Sequence, residues 1–151
     1  MLVKIGIFTF HNQSNLGAVL QASALLNYLQ NNYKNANVEI INYYPNNAVF
    51  TNSKFVHKLL SELKKIAEYI VDQDGFKRRK NFESYKKQYY VLSRDVYFGD
   101  KSLKKKKLEY DILISGSDQI LNTTLTGKSV AYYLDFNTDA KKISYASSFG
   151  R

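Results

Sequence analysis

The sequence predicts an α/β domain built on a doubly wound parallel sheet, and three observations carry that prediction. Apolar, β-branched runs alternate with segments whose apolar residues recur at three- and four-residue spacing, the pattern of strands joined by crossover helices. The run Leu2 to Phe10 (LVKIGIFTF) is almost free of polar residues, as a strand covered on both faces is. Polar, small-residue clusters at His11–Asn15, Gly116–Gln119 and Ser147–Gly150 each follow directly on a strand-like run, where doubly wound sheets bind ligands. The chain has 151 residues, 44% hydrophobic and 15% aromatic, enough for one ordinary core and too little for two.

Taken in order, Leu2 to Phe10 is the first strand. After the loop His11 to Asn15, Ala18, Ala22, Leu25 and Leu29 recur at helical spacing and predict an amphipathic helix from Gly17 to about Asn32. Val38 to Tyr43 (VEIINY) reads as the second strand, with the single proline, Pro45, where the chain leaves the sheet. Strand, helix, strand in this order is a βαβ unit, which crosses over with a right hand. From Phe55 to Val71 the apolar stripe Val56, Leu59, Leu60, Leu63, Ala67 and Ile70 predicts another helix, broken at Asp74-Gly75. A further helix, Phe76 to Tyr90, carries a basic run and the aromatic face Phe82, Tyr85 and Tyr89, and a short basic helix is expected around Gly99 to Lys107. Residues of about 55–107 thus read as a helical, basic insertion within a single domain, 1–151. Two strands, Asp111 to Ser115 and Lys142 to Ser147, complete a sheet of at least four.

Composition narrows the chemistry. There is no cysteine and there are two histidines, His11 and His57, which excludes disulfide frameworks, thiol nucleophiles and Cys/His zinc sites. No apolar run reaches the ~20 residues of a membrane span, and the first ten residues lack the layout of a signal peptide, so a cytoplasmic, soluble protein is expected. The net charge of +9 is concentrated: residues 77–107 hold twelve Lys and Arg against Glu83, Asp95 and Asp100. Such a face attracts anions, whether polymer, lipid head group or small substrate, and is equally what a solvated Lys-rich helix surface looks like. No zinc-finger, RRM or basic-zipper signature accompanies it, so specific nucleic-acid binding is not expected. Neither Gly-rich phosphate motif, G-x-G-x-x-G or G-x-x-x-x-G-K-[ST], is present.

The motifs that are present run in a fixed order: Thr9-Phe10-His11-Asn12, Asn15-Leu16-Gly17-Ala18 and Leu20-Gln21 at the first strand-to-helix turn; then Ser115-Gly116-Ser117-Asp118-Gln119; then Tyr133-Leu134-Asp135-Phe136; and last Ile143 to Gly150 (ISYASSFG). In this order and at these separations they resemble the amino-terminal half of the polysaccharide pyruvyl transferase family, over essentially the whole chain. The sequence departs from the family at Leu16, often tyrosine there, and at Ile120-Leu121-Asn122, where a tryptophan commonly follows the Asp-Gln pair. The resemblance implies a Rossmann-like half of a two-domain, GT-B-like transferase. It also implies transfer of a pyruvyl group from phosphoenolpyruvate, as donor substrate and with no cofactor or metal, to two hydroxyls of a sugar in a cell-surface polysaccharide precursor. Phosphate is released and a cyclic ketal formed. The acceptor is expected to be a sugar or lipid-linked glycan, met in the cytoplasm at the inner face of the membrane. The family's second half, which supplies Arg and His residues for the donor, has no counterpart in these residues, so the chain alone is expected to be inactive, with a carboxy-terminal domain or partner subunit completing it. The alternative is a catalytically inactive, truncated or partner domain that binds anionic polymer or membrane through the basic face.

Pyruvyl transfer asks for a base toward the attacking hydroxyl, an acid toward the vinyl carbon, and cations toward phosphate and carboxylate. Two residues are expected in catalytic roles: His11, in the first loop, as proton carrier, and Asp118, at a strand end, as base or hydroxyl acceptor, with a helix N-cap as its structural alternative. His57, within an amphipathic stretch, is expected to be structural. Asn12, Asn15, Gly17, Gln21, Gly116, Ser117, Gln119 and Ser148 are expected to bind substrate, Gly17 also permitting close approach of the helix or a positive φ.

Overall fold

A computed structural model describes residues 2–45, 72–105 and 107–150. The predicted helix over Phe55 to Val71 lies outside the described residues, as does His57. Among the described residues the order is β1 (Val3–Phe8), α1 (Leu16–Asn32), β2 (Ala36–Tyr44), α2 (Gln73–Tyr89), β3 (Leu92–Phe98), α3 (Gly99–Lys105), β4 (Ile112–Gly116), α4 (Thr123–Thr126), α5 (Val130–Tyr133) and β5 (Lys141–Tyr145). The five strands form one sheet in the order β3-β2-β1-β4-β5 with every pairing parallel. This is the Rossmann-like arrangement, and the strand order reverses between β1 and β4.

Strand periodicity sorts the core into two layers. Ile5 and Ile7 of β1, Val38 and Ile40 of β2 and Ile114 of β4 face α1, where Ala22, Leu25, Leu26 and Leu29 meet them. Phe8, Ile41, Tyr43 and Leu113 point to the other face, against Leu103 of α3, Ala131 and Tyr132 of α5, and Leu134 and Phe136. Rings meet there edge-on or tilted, with Phe8 5.9 Å from Tyr43 and 5.6 Å from Phe136. Helices on both faces explain why β1 reads as a continuous apolar run, although its first two residues, Val3 and Lys4, are exposed.

Local chemistry sets the element ends. Asn15 caps α1 by accepting from the Ala18 backbone N–H at 3.1 Å. Asp72 caps α2, accepting from Gly75 N at 2.8 Å, and a Cβ at Gly75 would lie 1.9 Å from the same carboxylate. Asp74-Gly75, read from sequence as a break, therefore lies inside the first turn of α2, because the cap two residues earlier needs a glycine there. A second difference is larger. Residues 92–98, read as part of a helical insertion, form β3, which pairs with β2 and extends the sheet. The sequence LSRDVYF buries only Ser93 and Tyr97, so this edge strand lacks the apolar content by which the others are legible.

Candidate functional site

Parts of the three polar clusters, among them Asn15, Ser117 to Gln119 and Ser148, come together beyond the carboxyl ends of β1, β4 and β5. A cavity of about 500 Å³ opens there, at the reversal of strand order, lined among others by Phe10, Asn15, Gln21, Ser117, Asp118 and Gln119. Gln21, one turn into α1, reaches across to the turn after β4: its Oε1 accepts from Ser117 Oγ at 3.2 Å and from the Asp118 backbone N–H at 3.0 Å. Ser148, beyond β5, donates from Oγ to Asp118 Oδ1 at 2.6 Å and accepts from the Gln119 backbone N–H at 3.1 Å and the Gly150 N–H at 3.3 Å. The backbone N–H of Leu121 donates to Ser148 O at 3.1 Å, and Ser147 Oγ to Ser115 O, also at 3.1 Å. The start of α1 and the ends of β4 and β5 are thereby tied into one lip, and Asp118 is held on it, exposed to solvent.

The lip carries backbone strain. Gln119 has φ 56° and Ala146 φ 51°, left-handed values that side-chain-bearing residues adopt at a cost of order 1 kcal/mol and that concentrate at functional sites. The helix after this turn is capped by Asn122, whose Oδ1 accepts from Thr124 N at 3.0 Å. Asp118 is thus not a helix N-cap; its carboxylate instead takes the Ser148 hydroxyl.

Six of the residues expected at the site, Asn15, Gly17, Gln21, Ser117, Asp118 and Gln119, line this cavity, with Ser148 bonded to two of them. Gly17 lies in the first turn of α1 without a positive φ, and a Cβ there would come 3.3 Å from Asn15 Oδ1, the capping atom. Gly116 does not line the cavity. It is buried in β4, and a Cβ would lie 2.8 Å from Leu25 Cδ2, so it lets α1 close onto the sheet. Leu125 of α4 also lines the cavity, and nothing in its sequence surroundings marked it.

His11 and Asn12 are placed elsewhere. Tight turns, His11 N to Thr9 O at 2.9 Å and Gln13 N to Phe10 O at 3.4 Å, send Phe10 and Gln13 to the first cavity and His11 and Asn12 to a second, lined also by Tyr44, Glu83, Lys86 and Tyr90. His11 is 3% exposed, and burial holds its pKa below the ordinary imidazole value, against the Thr9 backbone and the Asn42 side chain, which act the other way. Burial thus favours the neutral imidazole. Among the described residues no group of three or more His, Cys, Asp or Glu side chains could hold a metal ion, and no helix is long and apolar enough to cross a membrane.

A doubly wound α/β domain with a polar cleft at its switch point is the class that fold and cavity define. Residues 15–151 match the family model for polysaccharide pyruvyl transferase, and the chain belongs to that transferase family. No curated protein and no solved structure matched the chain.

Proposed function

We propose that this domain binds the acceptor sugar of a pyruvyl transfer and that Asp118 acts as the base. The observation that carries the reading is the make-up of the first cavity: one solvent-open carboxylate among amide and hydroxyl side chains, with no Lys or Arg among the described residues lining it. Hydroxyl-bearing rings suit such a surface, whereas a multiply charged phosphoenolpyruvate needs cations. Gln21 spends its Oε1 on the β4 turn and leaves its NH₂ to donate toward the cavity. Asp118 Oδ1 is oriented by Ser148, leaving Oδ2 to accept a proton from an attacking hydroxyl.

In this reading the first hydroxyl oxygen adds to C2 of phosphoenolpyruvate as its proton passes to Asp118 and C3 gains a proton from an acid; the second hydroxyl then displaces phosphate, its new bond to C2 forming as the C2–O bond to phosphate breaks, and its proton leaves with the inorganic phosphate. The sugar belongs to a cell-surface polysaccharide precursor, met in the cytoplasm at the inner membrane face. The donor's cations come from a second, facing half in a GT-B-like arrangement. No cofactor takes part.

The test is phosphate release from phosphoenolpyruvate in the presence of a glycan acceptor, with the protein at its native length. D118N is expected to lower turnover at least about tenfold, the lower range for loss of a general base, and S148A to lower it less. An undiminished rate in D118N would overturn the assignment.

A further inference from the structure

The second cavity, of about 590 Å³, lies between the loop after β1, the end of β2 and α2, and the proposed reaction makes no use of it. One residue of its lining is unusual. His11 Nε2 is buried with no partner in hydrogen-bonding geometry, the Asn42 side chain lying beside the ring. Buried polar atoms are nearly always paired, and an unpaired ring nitrogen on a cavity wall marks a place where a polar guest completes the bonding. Its wall on α2 holds a second anomaly: the Lys86 side chain is only 10% exposed, and its ammonium pairs with Glu83, whose own side chain is 57% exposed. A buried ammonium carries three donors, and Glu83 occupies one position beside it. Lys87 adds an exposed ammonium at the rim, and the Tyr44 and Tyr90 rings close the sides. Tyr90 is anchored by donating to Val19 O at 3.2 Å, and burial pushes its hydroxyl pKa up to about 12, so it adds no charge.

We infer that this cavity is a binding site for a small oxyanion, the phosphoryl or carboxylate group of a ligand, held by Lys86, Lys87 and His11 Nε2. The charges acting on the imidazole are Lys86 and Glu83, and Lys87 on the cavity wall adds a further positive charge that an anion offsets. Glu83, already half in solvent, turns outward as the anion takes its place on Lys86. The site is independent of the assignment of Asp118.

The test is an NMR titration of the imidazole nitrogens in the intact chain, His11 being identified by its loss in H11Q, with inorganic phosphate, phosphoenolpyruvate and pyruvate as separate probes. Phosphate is expected to move the His11 Nε2 resonance and to raise its titration midpoint, since a bound anion favours imidazolium. Binding is expected to weaken about tenfold in K86M and by a smaller factor in K87Q, an exposed position that leaves folding intact, while D118N leaves it unchanged. Tighter binding of phosphoenolpyruvate than of phosphate would identify a phosphoester as the source, and tighter binding of pyruvate a carboxylate; either supports the site. The inference is overturned if none of the three anions moves His11, as when His11 and Asn42 satisfy each other or share a water. A shift of equal affinity in K87Q and K86M, or a response to a neutral sugar alone, overturns it as well.

Discussion

Gly6 shows how little room the centre of the sheet leaves. A Cβ there would lie 2.8 Å from Ile41 Cδ1, 2.9 Å from Leu113 Cδ2 and 3.1 Å from Tyr110 Cδ1, three neighbours converging from β2, β4 and the segment before β4. Tyr110 is pinned in turn, donating to Glu39 Oε1 at 2.6 Å, so it cannot simply withdraw. G6A is therefore expected to destabilise by about 1–3 kcal/mol, the range for an added methyl in a packed core. For a chain of this size that is a loss of about 2–4 °C in Tm per kcal/mol, which calorimetry reads directly. G17A, where the only close atom is Asn15 Oδ1 at 3.3 Å, is expected to cost less stability than G6A.

The weakest element by sequence, β3, is pinned at an irregularity in its ladder by one hydroxyl. Its pairing with β2 shifts register between Ile40 and Asn42, and at the irregularity Ser93 Oγ accepts from the Asn42 backbone N–H at 3.0 Å while donating to Asp95 O at 2.8 Å. The side chain replaces a ladder bond that the bulge removes. S93A leaves a partly buried N–H without a partner, at a cost of about 1–3 kcal/mol. The expected signature is local: amide exchange at Asn42 and along β3 accelerates more than in β1 and β4, and uniform acceleration across the sheet would show that β3 does not depend on this contact. The basic run on α2 has a similar local logic. Phe76, Arg79, Phe82 and Lys86 recur on its partly covered side, leaving Lys77, Arg78, Lys80 and Lys87 on the exposed one.

Across the whole molecule, Asp100 at the start of α3 joins parts of the chain far apart in sequence. Its Oδ1 accepts from Tyr43 Oη at 2.7 Å and from Ser129 Oγ at 2.7 Å, and its Oδ2 from the Val130 backbone N–H at 3.2 Å, so β2, α3 and α5 meet at one carboxylate. Burial acts to raise its pKa, but the bonds from Ser129, Tyr43 and the α5 backbone outweigh that and hold it below the usual carboxylate value. A folded carboxyl that binds its proton more weakly than the unfolded one stabilises the fold above the unfolded value, about 4, and loses that stabilisation as pH falls through the folded value. Urea unfolding at pH 7 and pH 3 is expected to show a larger acid loss in the native protein than in D100N, which has no charge to lose. Equal losses would place the acid sensitivity in other carboxylates.

What the sequence by itself determined was the sheet's identity and the address of the cleft. Strongly apolar runs need burial on two faces, so β1, β2 and β4 were legible, and the motifs at Asn15–Gln21, Ser115–Gln119 and Ile143–Gly150 marked the strand ends that come together. Their order also pointed to the family, which the match over residues 15–151 bears out. Only the tertiary structure decided that β3 is a strand, because a half-exposed edge needs little apolar content and is fixed by its partner. It alone showed that Gly116 serves packing under Leu25, and that Asn122 rather than Asp118 caps the following helix. It also separated His11 from Asp118. Both follow a strand and read alike in one dimension, but the turns after Thr9 send successive residues to opposite sides of a loop, and which cavity each side chain enters depends on elements far away in the chain.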